Sequence, residues 1–173
     1  MTCKRQLNTF ALACLAISTL ASVGWPAAAD APPQSMAAMR FLLGTWTCSV
    51  KAIDGSTPQV TAITSLSSDG THMLSKTIAG GDGTTDMWLD SGKQQWVQTA
   101  KSSKGSTSQT SAGFSGTTMV WVGTITASGM PTMNYRTTLT KVSDTKTQQT
   151  DELGAPGSSS WLGADTATCV KVR

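Results

Sequence analysis

Clusters of turn-forming residues recur along this chain at nearly regular spacing, and that rhythm constrains the fold more than any other feature. They include Asp54-Gly55-Ser56, Ser67-Ser68-Asp69-Gly70, Gly80-Gly81-Asp82-Gly83, Asp90-Ser91-Gly92-Lys93 and Ser102-Ser103-Lys104-Gly105. Further clusters lie at 114–116, 128–131, 143–146 and 154–157. Asp-Gly and Ser-Gly pairs supply the positive φ and the side-chain-to-backbone bonds that tight turns need. Between them lie ten candidate strands, at 44–52, 59–66, 71–79, 84–89, 95–101, 107–113, 117–127, 132–142, 147–153 and 165–172. No interval is long enough, or spaced at 3.6 residues, for a crossover helix, so sequence neighbours must pair antiparallel.

Composition agrees, because Thr is abundant and is a good strand former. Alternation is clear in two segments. Met119, Trp121, Gly123 and Ile125 share one face against Val120, Val122 and Thr124, and Met133, Tyr135 and Leu139 alternate with Asn134, Arg136, Thr138 and Thr140. A ten-stranded meander leaves two open edges unless it closes, so the expectation is an all-β fold, a single antiparallel up-and-down barrel. A β-sandwich would need a long connection between sheets, for which the Gly-Ser-rich 154–160 segment is the one candidate.

The first 29 residues read as an address. Lys4 and Arg5 precede an apolar run over 10–23, then Pro26 and Ala27-Ala28-Ala29. This order predicts a secretory signal cut between Ala29 and Asp30, with the run too short for a stable membrane anchor. The predicted organisation is a leader over 1–29, a linker and short helical turn over 30–40, and the barrel over 41–173, with Ser35 as a candidate helix cap. The destination would be the periplasm or the exterior. Removal of the leader lowers the net charge of +3 to about +1, too little to bind nucleic acid through its phosphates.

Cys3 and Cys14 would leave with the leader, and Cys48 and Cys169 remain. An even count in an oxidising compartment predicts one disulfide. The alternatives are free thiols or a metal pair, and two cysteines without neighbouring histidines make a poor zinc site. The bridge would tie the first strand to the last, which closure also makes neighbours. Its side of the wall stays open, since Cys48 shares a face with Trp46 and Val50 but Cys169 shares one with Lys171.

Arg40-Phe41-Leu42-Leu43-Gly44-Thr45-Trp46 places a Gly-x-Trp at the start of the first strand, after a short helical turn. This resembles the entrance of calycin-type barrels, closest to the nitrobindin-like and lipocalin-like barrels of secreted bacterial proteins. The resemblance implies that Gly44 lets the chain bend into the barrel and that Trp46 plugs its closed end. It also implies a late cation over the indole, for which Arg136 and Arg173 are candidates. Nitrobindins bind haem through a late His, whereas the one His here is His72. That departure argues against haem, and no cofactor is expected.

Other chemistry is sparse. His72 has no second His or Cys with which to build a metal site, so none is expected. The Gly80–Asp86 stretch has too few oxygen ligands for calcium, and reads as a hairpin loop. Asp151 and Glu152 are adjacent on a strand and so point to opposite faces. No Gly-x-Ser-x-Gly elbow is present. What remains is a Trp- and Met-biased apolar set in a barrel wider than the eight strands that side chains just fill. We therefore expect a non-catalytic binder of a small apolar ligand, with Trp46, Met87, Trp96, Trp121, Met133 and Tyr135 as lining residues. The competing readings are an interaction module with a filled barrel and, third, a haem-dependent nitrobindin-like isomerase. Oligomeric state is not legible.

Overall fold

The computed structural model describes residues 35–172. The predicted leader, its cut site, the first part of the linker and Arg173 lie outside them. Among the described residues, eleven strands follow a single 3-10 helix, Met36–Leu42. They are β1 (Gly44–Lys51), β2 (Gln59–Leu66), β3 (His72–Ala79), β4 (Thr84–Asp90), β5 (Gln95–Ser102) and β6 (Gly105–Ser111). Then come β7 (Phe114–Ser115), β8 (Thr118–Ala127), β9 (Met133–Ser143), β10 (Lys146–Gly154) and β11 (Leu162–Lys171). The ten long strands agree with the turn rhythm to within about three residues at each end, as expected when turn chemistry sets the boundaries.

Every pairing is antiparallel, β1 meets β11, and β6 meets β8. Ten strands therefore form a closed barrel. The 114–116 turn cluster does one thing more than turn: β7 folds back on the start of β8 as a two-residue ribbon, leaving β6 free to pair with β8. That closure depends on Gly123, opposite Gln109, because a Cβ there would land on the Ser108 carbonyl oxygen. Closure removes the sheet edges that would otherwise template aggregation.

The other seam carries the disulfide. Cys48 and Cys169 are direct cross-strand partners and are bonded. Val172 N–H donates to the Thr45 carbonyl, so alternate pairs along this ladder are hydrogen-bonded and Cys48–Cys169 falls at a non-bonded pair. Side chains approach most closely at such pairs. The bridge lies inside the barrel, on the face of Trp46 and Lys171. A disulfide between strands fits a non-reducing compartment. Among the described residues no helix is long and apolar enough to cross a membrane.

One end of the barrel is plugged. Met39, Met73, Met87, Trp96, Met119 and Trp121 form the buried core, and Met36, Leu42, Leu43 and Phe114 pack against it. Each such fully buried apolar side chain contributes about 1.5–3 kcal/mol. Ser35 does not cap the helix through its side chain; its carbonyl accepts from Ala38 N–H instead. Gly44 has φ +110°, the left-handed region that its position between helix and strand requires. Trp46 donates its indole N–H to the Leu42 carbonyl at 2.7 Å, locking the helix onto the first strand. Its covering cation is not Arg136, and Arg173, the other candidate, lies outside the described residues. It is Lys171, whose Nζ lies 5.4 Å from the indole centroid and donates to the Phe41 carbonyl at 3.0 Å. Arg136 is on the outer wall, bidentate to Glu152 and 4.5 Å above Trp161.

Candidate functional site

Above the plug the barrel is hollow. Period-2 alternation sends every second side chain inward, and past the Met and Trp layer those inward positions are small or polar. On β2 and β3 they are Ala62, Thr64 and Ser75, on β5 and β6 Gln98, Ala100, Thr107 and Gln109, and on β10 Thr147 and Gln149. Side chains of that size cannot span a ten-stranded cylinder. A cavity of about 310 Å³ results. Leu42, Trp46, Met87, Trp121 and Leu139 form its apolar floor, and the disulfide is part of its wall. A second hollow of about 250 Å³ shares Ser75, Thr85, Ala100 and Thr107 with it and reaches the rim at Lys104 and Gly105.

One wall is an ordered polar network. Gln98 Nε2 donates to Gln109 Oε1 at 3.3 Å, Gln109 Nε2 to Thr137 Oγ1 at 3.2 Å, and Thr137 Oγ1 to Asp151 Oδ1 at 2.7 Å. Gln149 Nε2 donates to the other carboxylate oxygen at 2.8 Å, and the Tyr135 hydroxyl interacts with the same group. The chain has a fixed direction. A carboxylate only accepts, so Thr137 must donate to it, and the Thr oxygen then accepts from an amide NH2. Among the described residues no buried side-chain nitrogen or oxygen lacks a partner.

Burial raises the Asp151 pKa above 3.8 and the donors Thr137, Gln149 and Tyr135 pull it back, while Asp165, directly opposite on β11, raises it further. Burial also raises the Tyr135 pKa, and the Asp151 charge adds to the rise. The β10–β11 register shifts between Asp151 and Glu152, with Ala164 as the extra residue of a bulge. The two acids still part, Asp151 inward to Thr137 and Glu152 outward to Arg136. Such a shift increases local twist and re-aims side chains near a barrel rim.

Comparison with known proteins leaves this site unassigned. No protein-family model matches the chain. No curated protein matches it either. Among solved structures the chain is similar to a redesigned β-barrel, with 18% identity and a TM-score of 0.41, over 81% of this chain and 100% of that one.

Of the residues that the sequence nominated as lining, Trp46, Met87, Trp121 and Tyr135 border the cavity. Trp96 is elsewhere, fully buried in the plug. Met133, at the start of β9, is not part of the cavity wall. His72 opens β3 with its side chain outward, Nδ1 2.7 Å from Asp86 Oδ1 and the ring stacked on Trp88 at 5.2 Å. The Gly80–Gly83 segment is the β3–β4 turn, where Asp82 accepts from Ser103 N–H at 2.8 Å.

Sequence reasoning missed Gln98, Gln109, Thr137, Gln149 and Asp151. Parity from Trp96 would have put Gln98 on the inner face, and parity from Tyr135 and Leu139 would have put Thr137 there. Polar residues read as solvent-facing in a half-buried strand, however, and only closure turns that face into an interior.

Proposed function

We propose that this barrel is a non-catalytic binding protein that holds one small molecule in its interior. The carrying observation is the cavity of about 310 Å³ between an apolar plug and an open rim. That volume is at the lower end of small-molecule sites, which combine apolar lining with a few placed polar groups. The guest is amphiphilic, rather than apolar throughout. Its apolar body rests on Trp46, Met87, Trp121 and Leu139, and its polar head meets the Gln98–Gln109 and Thr137 wall. Secretion by the predicted leader and a place among the calycin-type barrels belong to this same reading. The Gly44 bend, the Trp46 plug and the Lys171 cover support it.

Haem does not fit the residues present. The one His, His72, faces outward against Asp86, and both cysteines of the barrel are bonded to each other. No imidazole or thiolate of the barrel is available to an iron in the cavity, so the isomerase reading lacks the imidazole that nitrobindin-type haem binding uses. A surface observation favours a second reading, an interaction module: Ile63, Leu74 and Ile78 are exposed together on the outer faces of β2 and β3. Native mass spectrometry on the chain secreted from a bacterial host and never refolded separates the two. A discrete extra mass lost on denaturation is expected. A bare oxidised chain, even after exposure to bacterial extract, would overturn the binder and leave the outer patch.

A further inference from the structure

The interior of the barrel is charged unevenly. Its inward-facing titratable groups are Asp151 and Asp165, opposite each other on β10 and β11, with Tyr135 beside them, and Lys171 and Lys141 at the closed end, where Lys141 lies over Phe41 and pairs with Asp144. Lys171 is already engaged, with its ammonium bonded to the Phe41 carbonyl against Trp46. The partners of Asp151 are all neutral: Thr137, Gln149 and Tyr135. Burial raises the Asp151 pKa, and the three donors converging on the carboxylate act against that rise in favour of its charged form. Asp151 is 8% exposed, so little water screens that charge, and among the described residues none of the ion pairs involves it. Lys101 and Lys104 at the rim are exposed to solvent, where their fields are screened.

The hydrogen-bond chain extends this bias to the cavity surface. With Asp151 accepting, Thr137 and Gln109 are committed in sequence, and Gln98 uses its amide NH2 on Gln109 Oε1. Gln149 likewise spends an N–H on the carboxylate. The carbonyl oxygens of Gln98 and Gln149 are left as acceptors on side chains that border the cavity. Trp46, Trp121 and Tyr135 border the same space, and aromatic faces attract cations.

We propose that the guest of this cavity carries an ammonium head, which only donates and is positively charged, on an apolar body. The assignment rests on the reading of the cavity as a binding site and names the ligand class. Negative charge repels an anionic head, and a neutral hydroxyl gains the hydrogen bonds but not the charge. The wall therefore discriminates by head group while the floor accepts any body of suitable size.

The test uses three isosteres: cyclohexylammonium, cyclohexanol and cyclohexanecarboxylate. Each is titrated at neutral pH into the oxidised chain and followed by Trp fluorescence, since Trp46 and Trp121 border the cavity. Cyclohexylammonium is expected to bind about tenfold more tightly than cyclohexanol, with the carboxylate weaker than both, as one charge near a desolvated carboxylate implies. Asp151→Asn is expected to shrink the ammonium advantage to about threefold or less and to leave cyclohexanol unchanged. Asp165→Asn, a half-buried site outside the network, serves if the first variant does not fold, and should remove part of the advantage. Equal binding of the ammonium and alcohol, stronger binding of the carboxylate, or an advantage untouched by a folded variant each overturns the proposal. So does failure of all three probes to bind. If native mass spectrometry nevertheless shows a neutral or anionic guest, the binding function stands and only the ligand class falls. If it shows none, both fall.

Discussion

The bridge between Cys48 and Cys169 spans 121 residues of sequence, so its removal should be the largest single loss of stability in this chain. In the chain-entropy model a loop of that size removes about 16 cal/mol/K from the unfolded ensemble, or about 5 kcal/mol at 25 °C. Whole domains are stable by only about 5–15 kcal/mol, so this is a large share. The site also makes the experiment clean. Both cysteines border a cavity that already exists, so Cys48→Ala with Cys169→Ala widens a hollow instead of leaving a sealed void. The usual cavity cost of a large-to-small change should be small here. Urea unfolding of the double variant, followed by Trp fluorescence and far-ultraviolet circular dichroism, reads the effect. With a slope of about 2 kcal/mol/M, the midpoint should fall by about 2.5 M. The slope should rise, because the unlinked chain exposes more surface when unfolded. The comparison should therefore be made in free energy as well as in midpoint. A loss below about 1 kcal/mol would refute the reasoning. It would mean that β1 and β11 already meet in the unfolded ensemble and that the bridge constrains nothing.

Met119→Ala, at a fully buried plug position, should cost about 2–5 kcal/mol in urea unfolding without altering cyclohexylammonium binding. A loss under about 1 kcal/mol would show the plug to be loosely packed. Lys171→Met should lower stability by about 1–2 kcal/mol by removing the cation over Trp46 and its bond to the Phe41 carbonyl, with Lys171→Arg milder. Thermal melts that superimpose would refute that role. Burial raises the folded-state pKa of Asp151 above 3.8, so its charge opposes folding above the folded pKa, and the penalty fades as pH falls from there to 3.8. Wild type should thus gain stability relative to Asp151→Asn between pH 7 and pH 4. A difference between the two proteins that is constant across that window would contradict the shift.

The strands and their order were legible because their signals are local. An Asp-Gly pair such as Asp69-Gly70 turns the chain whatever surrounds it, and β8 shows its inner face in the alternation of Met119, Val120, Trp121 and Val122. Closure followed from the same rhythm, and the cysteines at its two ends agreed with it. The cavity was half legible. Trp46, Met87, Trp121 and Tyr135 could be nominated as large side chains on inner faces, but Trp96 and Met133 were nominated on the same grounds and are not part of the wall. Which inner positions meet at one height depends on strand stagger, a property of the closed cylinder that no single strand encodes.

By itself, then, the sequence determined an antiparallel all-β chain whose first and last strands each carry one cysteine of a bridge, since turn residues and period-2 patterning act within a few residues. Only the tertiary structure decided that the bridge faces inward, that Lys171 covers Trp46, and that Gln98, Gln109, Thr137 and Asp151 form one directed chain. Those residues lie on four different strands, β5, β6, β9 and β10. Their meeting is set by the stagger and twist of the closed wall, and a Gln or Asp facing water in an open sheet is indistinguishable in sequence from one enclosed by a barrel.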